Sequence, residues 1–275
     1  MSTKIFIFSG LLAFLFTQCK ENEAVSPVTK PPVVVNATDI LSKSTRLYAV
    51  ASPTATSKGG IVKLNPLDGS VIKTLAFATD PNYEDGLAFD GNLVYYINGR
   101  TDGVGINKVI TIDAELGGII DTISTEFPPR MDALAATAKI IYVLDFLGKK
   151  IYEVSLESKK ITHTIIPEFP EDAIGGISYG GKRGTLFISS FDLNDINNAS
   201  KYKVYEINAK TGKVINSIAV PIAPFGVAYS EASKALIVST GDFMQKSSYV
   251  INPDNGKVLS SFSGSYSALA ADEAN

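Results

Sequence analysis

The chain has 275 residues, 45% hydrophobic and 19% charged, an ordinary globular composition long enough for one large domain or two small ones. A formal net charge of −3 provides no basic footprint for nucleic acid. One Cys excludes an internal disulfide framework, one His excludes a His-rich zinc site, and Trp is absent.

The chain opens with Lys4 and the apolar run "IFIFSGLLAFLF", residues 5–16, followed by "TQC". A positive start and a short apolar run read as a signal peptide over residues 1–18, too short to span a bilayer. Cys19 directly after the run resembles a bacterial lipoprotein signal, in which that Cys is diacylated and becomes the mature N-terminus. Gln18 stands where such signals usually carry a small residue, and Phe16 where Leu is usual. Lys20 is not the Asp of inner-membrane retention, and "KENEA" is similar to the Lys-plus-acid signal of surface lipoproteins, with a plain solvated tether as the alternative. "AVSPVTKPPVVV", residues 24–35, follows as a stiff Pro-rich spacer. The expectation is an outer-membrane lipoprotein of the cell envelope, periplasmic or surface-exposed. Residues 19–44 form its tether, and whether 33–44 join the fold is left open.

From there the chain repeats itself. "LNPLDGSVIKTL", "IDAELGGIIDTI", "VSLESKKITHTI", "INAKTGKVINSI" and "INPDNGKVLSSF" start at 64, 112, 154, 207 and 251. Each alternates apolar and polar residues, passes a turn cluster and alternates again, which makes a β-hairpin. Gly in "NPLDG", "NAKTG" and "NPDNG" supplies the left-handed turn residue. "SLESK" lacks Gly, so its turn is expected to be of a different type. Spacings of 42 to 53 residues, with two further strands before each hairpin, are the period of propeller blades. Those strands lie in "DGLAFDGNLVYYING", "DALAATAKIIYVLD", "GGISYGGKRGTLFISS" and "FGVAYSEASKALIVST". The first strand of each is small and apolar, as crowding at an axis requires. The second is Val-, Ile-, Leu- and Tyr-rich, as a doubly covered strand should be.

The first hairpin lacks an inner strand, and "YSALAADEAN" at the C-terminus is an inner strand without a blade. The two ends therefore complete one composite blade and close the ring. The fold expected for residues 45–275 is all-β: a five-bladed β-propeller with four antiparallel strands per blade, closed by pairing of its N- and C-terminal segments. The "N-x-x-T-G-K-V" hairpins resemble the broad superfamily of YVTN-type surface-layer, quinoprotein-like and gluconolactonase-like propellers. That resemblance implies ligands at the axial end built by the loops entering the inner strands.

Those loops gather Tyr83, Asp85, Arg130, Asp132, Phe225 and Tyr266, the ligand-binding candidates, among further carboxylates at Asp80, Glu84, Glu126, Glu168, Glu171 and Asp172. Aromatics among convergent charges suit a carbohydrate, a peptide or a cation, while a solvated rim is the plainer alternative. Asp85 and Asp132, at equivalent places, form a weak candidate pair for calcium, and no other cofactor is expected. The hairpin turns, poor in aromatics, are expected to splay outward at the opposite end. His163 sits in an outer strand, far from the axis and from any catalytic role, and "DLNDINN" reads as a solvated loop lacking EF-hand spacing.

"DGLAFDGNLVYYINGR" is similar in outline to a blade of the plant-type glutaminyl cyclotransferases. Glu84-Asp85-Gly86-Leu87 replaces their Thr-Gln-Gly-Leu motif, which speaks against that activity. The functional expectation is a lipid-anchored extracytoplasmic binding or scaffold module for a carbohydrate, peptide or protein partner, with the membrane contacted only through the anchor. The alternative is a hydrolase or lyase using rim carboxylates.

Overall fold

Alternation becomes strand, and all but the last strand pair with a neighbour in sequence. The computed structural model describes residues 41, 45–51, 60–75, 85–98, 108–124, 131–145, 149–168, 173–241 and 246–272. The expected signal peptide, Cys19 and nearly all of the tether lie outside the described residues. Blade 1 contains β1 (Leu47–Ala51), β2 (Gly60–Leu64) and β3 (Val71–Thr74). Blade 2 is β4 (Asp85–Phe89), β5 (Leu93–Asn98), β6 (Lys108–Asp113) and β7 (Ile119–Ser124). Blade 3 is β8 (Met131–Ala136), β9 (Ile140–Asp145), β10 (Lys150–Ser155) and β11 (Ile161–Ile165). Blade 4 is β12 (Ala173–Tyr179), β13 (Thr185–Phe191), β14 (Lys203–Asn208) and β15 (Val214–Ala219). Blade 5 is β16 (Gly226–Ser230), β17 (Ala235–Ser239), β18 (Ser247–Ile251) and β19 (Val258–Ser263). The last strand, β20 (Leu269–Ala271), is the inner strand of blade 1, whose order is β20-β1-β2-β3. The protein is a five-bladed β-propeller of four-stranded antiparallel sheets.

Closure rests on a short ladder. Leu47 pairs with Ala271, Tyr48 with Ala270 and Ala49 with Leu269. Beyond it, Val50 N donates to Ala268 O at 3.1 Å. Thr45 Oγ1 reaches Ser230 Oγ at 3.0 Å and Ser233 Oγ at 2.9 Å, tying the start of blade 1 to blade 5. Leu41, inside the segment read as tether, is buried in the apolar cluster between blades 5 and 1.

The core is not one mass but five clefts, each filled by a cluster drawn from two adjacent blades. Tyr48 of blade 1 meets Phe89 of blade 2 at 4.8 Å between ring centroids, and Phe187 of blade 4 stacks on Tyr229 of blade 5 at 5.3 Å. Each fully buried side chain of this size contributes about 1.5–3 kcal/mol, so the clefts dominate the stability of the ring. The polar seams are smaller terms. The Lys159–Asp121 bridge between blades 3 and 2 is 2.6 Å long but half exposed on both sides, and such pairs contribute about 0–1 kcal/mol.

The repeated hairpin turns show why the motif recurs. In blade 4, Asn208 Oδ1 accepts from Lys210 N and Thr211 N at 3.0 Å each, and Gly212 N donates to Asn208 O at 2.9 Å. Asn65, Asp113, Ser155 and Asn252 hold the other four turns in the same way. The residue four places on has positive φ each time: Gly69 73°, Gly117 83°, Lys159 54°, Gly212 72° and Gly256 71°. Blade 3 therefore does not use a different turn type, contrary to expectation. Lys159 adopts the left-handed conformation itself, at a cost of about 1–2 kcal/mol.

Nor do the turns splay outward. Each docks on the preceding blade. Gly212 O accepts from Glu168 N at 3.2 Å, Pro253 O from Asn216 Nδ2 at 3.2 Å, and Gly69 O from the Tyr266 hydroxyl at 3.2 Å. Lys73 Nζ donates to Glu115 O, and His163 Nε2 lies 3.3 Å from Lys210 O. The sole histidine is thus part of a seam.

A Cβ on Gly212 would stand 2.3 Å from Ile166 O, backbone that cannot swing away. Gly184 also has positive φ (66°), but a Cβ there meets nothing within 4 Å. Gly184→Ala should cost about 1 kcal/mol of strain, and Gly212→Ala about 2 kcal/mol or more, because it also breaks the docking. Denaturant unfolding of both variants measures the difference. Equal losses would mean the turn contact contributes nothing.

Candidate functional site

The end of the ring where loops enter the inner strands holds the sequence-predicted candidates. Tyr83, Arg130 and the side chain of Asp85 lie outside the described residues. Asp132 is the extra residue in β8, between the pairs Met131–Asp145 and Ala133–Leu144, and only 6% exposed. Phe225 is 8% exposed, packs tilted against Phe191 at 4.5 Å between ring centroids and belongs to the cleft between blades 4 and 5. Tyr266 is also 8% exposed, and its N–H donates to Ser239 Oγ at 2.8 Å while its ring fills the cleft between blades 5 and 1. Topology brings Asp132, Phe225 and Tyr266 to one axial end, but packing holds the two aromatics in separate clefts. Among the described residues no group of three or more His, Cys, Asp and Glu side chains is arranged to hold a metal ion.

The aspartates of "DLNDINN" build their own loop. Asp192 accepts from Asn194 N at 2.9 Å and pairs with Lys201 at 3.0 Å. The Lys201 hydrogen bond holds its carboxyl below the usual range. Asp195 accepts from Asn198 Nδ2 at 2.7 Å.

The axis itself is nearly sealed. Leu87, Leu134, Ile177, Val227 and Leu269, one from each blade, line a cavity of about 10 Å³, at most the room for one water. The strands approach so closely that a Cβ on Gly176 would sit 2.8 Å from Phe225 O and 2.9 Å from Val227 N.

The opposite end has an open pocket of about 490 Å³ between blades 3 and 4, the size of small-molecule sites. Its walls are the two turns joining inner to second strands, residues 137–140 and 180–184. Tyr142 of β9 and Tyr179 of β12 stack across the blade boundary at 6.0 Å and 12°. Burial, with Glu153 and Tyr179 nearby, pushes the Tyr142 phenol up to about 12. Burial, then Glu231, raises Tyr179. Both hydroxyls therefore remain protonated hydrogen-bond donors at neutral pH. Lys139 and Lys182 stand exposed on the two walls, and neither ammonium forms an ion pair among the described residues.

Both walls are braced. Thr137 Oγ1 accepts from Lys139 N at 3.2 Å and Ile140 N at 3.0 Å, and Leu156 N donates to Lys139 O at 2.9 Å. In the other wall Gly180 N donates to Thr185 O at 2.8 Å, Gly184 N to Gly181 O at 3.0 Å, and Lys182 N to Glu231 Oε2 at 3.1 Å. Arg183 grips the buried Glu206 carboxylate with Nε at 2.7 Å and Nη2 at 2.9 Å, and reaches Asp254 of blade 5 at 3.0 Å. The Glu206 hydrogen bond raises the Arg183 pKa further, so the guanidinium stays charged. The sequence reading missed this pocket. A Tyr flanks each inner turn, in "AKIIYV" and "SYGGKRG", but nothing in either segment marks the two as partners.

No protein-family model matches the chain, and no curated protein sequence matches it. Among solved structures it is similar to the glutaminyl cyclase of Myxococcus xanthus, with 11% identity and a TM-score of 0.50 over 66% of this chain and 71% of that one. It is also similar to a chain of a nidogen/laminin complex, with 12% identity and a TM-score of 0.52 over 82% and 98%. At these identities the likeness is one of propeller fold.

Arg183→Met would leave the buried Glu206 carboxyl without its cationic partner, which costs about 3 kcal/mol, and the Arg183→Met/Glu206→Met pair should recover most of it. Urea unfolding of the single and double variants checks this. A double variant as unstable as the single would show that the ion pair is not what braces this wall.

Proposed function

We propose that the chain is a lipid-anchored extracytoplasmic module that binds a carbohydrate, peptide or protein partner, anchored at the outer membrane through Cys19 and binding in the pocket between blades 3 and 4. The contrast in space carries this reading: about 10 Å³ on the axis against about 490 Å³ in the open pocket. A ligand needs room, aromatic surface and a few placed polar groups, and the pocket supplies all three. The nidogen/laminin neighbour is a propeller-like chain found in a protein complex, which agrees with a binding role. A hydrolase or lyase using rim carboxylates draws no support from Asp132, which is buried, or from Asp192 and Asp195, which are bonded within their loop.

Two substitutions test the two halves. Ala138→Trp places an indole over the pocket from an exposed wall position without altering charge. With detergent-solubilised full-length protein on glycan and peptide arrays, wild-type binding should drop at least about tenfold in this variant, with melting unchanged. Full binding by Ala138→Trp would place the ligand elsewhere. Cys19→Ala should move the protein out of the membrane fraction, because an acyl chain contributes about 0.8 kcal/mol per buried methylene. Retention of the processed variant in membranes would exclude the lipid anchor.

A further inference from the structure

We infer that the pocket between blades 3 and 4 recognises an acidic saccharide, a sugar ring carrying a carboxylate, with the Tyr142–Tyr179 pair beside the ring and Lys139 and Lys182 at the carboxylate. The inference rests on the pocket being the binding site and names what it binds. Three observations point to this class.

The lining offers donors and aromatic surface but no Asp, Glu or His. Of the carboxylates nearby, Glu231 accepts from Lys182 N and bridges to Lys234, while Glu153 accepts from the neutral Thr162 hydroxyl at 3.1 Å. With Lys139 and Lys182 on the walls and no carboxylate in the lining itself, an acceptor-rich anion is favoured over a cation.

The backbone of the two walls is committed internally, from the Thr137 cap on one side to the Gly180–Thr185 and Gly181–Gly184 bonds on the other. An extended peptide needs main-chain partners, and a phosphate is typically cradled by free N–H groups. Lys139 N, Ile140 N, Gly180 N, Lys182 N, Arg183 N and Gly184 N all donate within the protein, so recognition falls chiefly to side chains.

Those side chains are the half-buried Tyr179 ring, backed by the buried Tyr142 ring parallel to it, and two ammonium groups on opposite walls. A pyranose lays its C–H face on an aromatic ring, its hydroxyls accept from phenol O–H, and a uronate carboxylate takes the ammonium charge. A pocket of about 490 Å³ holds one or two such rings.

The test is calorimetry on the detergent-solubilised full-length protein, with digalacturonate, its dimethyl ester and triglutamate as probes. Digalacturonate should bind, and Lys139→Gln with Lys182→Gln should weaken it by about tenfold or more. Both positions are exposed, so the double variant keeps its fold and its melting temperature. The dimethyl ester should lose a similar factor, and triglutamate should not bind measurably. The inference is overturned if digalacturonate shows no heat up to about 10 mM, if the ester binds equally well, or if triglutamate binds with the same lysine dependence. Binding that Ala138→Trp abolishes but the lysine pair leaves untouched would keep the pocket and remove the acidic class.

Discussion

Five inner strands crowd onto one axis, and the rest of the structure follows from that crowding. At Gly176 the neighbouring backbone is so near that even a methyl group would collide with it. β4, β8, β12, β16 and β20 can touch in a ring because their residues are small, and their contact leaves about 10 Å³ at the centre. A six- or seven-bladed ring would open a channel there. With five blades the axis is filled, so its lining is core. The sheets diverge from this hub as wedges, and the wedge-shaped spaces between them must be filled by side chains. The five apolar clusters do this, and the pocket between blades 3 and 4 lies where one wedge opens to solvent behind Tyr142 and Tyr179.

The repeated hairpin turn is the outer counterpart of the hub. A propeller pinned only at its axis would let the outer strands fan apart. The turn of each blade lies on the blade before it, and its left-handed residue lets the chain come that close. The sequence motif is therefore a joint between repeats as much as a turn within one. Blade 3 bears this out: Lys159 keeps the backbone shape without Gly, and its side chain bridges back to Asp121 of blade 2.

The blade count, the strand order and the composite first blade were legible because they depend on period-two alternation and a repeat of fixed length. Both are local signals. The Lys159 turn departs from the sequence expectation because the conformation follows the Asn, Asp or Ser cap four residues earlier and not the Gly. Phe225 and Tyr266 stand among the rim candidates because the loops that carry them converge on the axis. They are in fact filler for two clefts, a fact that depends on which blades abut. The pocket was illegible for the same reason. Tyr142 and Tyr179 are 37 residues apart in sequence, unremarkable in each strand, and they form a site only when blade 3 is set against blade 4. Signals of that kind lie in the packing between repeats, where a single sequence shows no pattern.

If hub and closure make the ring one cooperative body, its parts cannot open separately, unlike an open repeat array that can unzip from an end. Native-state hydrogen exchange measures this directly. The account predicts that amides of Leu87, Ala135, Ile177 and Val227 in the inner strands, and of Tyr48 and Ala270 in the closing ladder, share one opening free energy equal to that of global unfolding in denaturant. Markedly faster exchange at Tyr48 and Ala270 alone would contradict it, showing that blade 1 detaches while the other four remain folded.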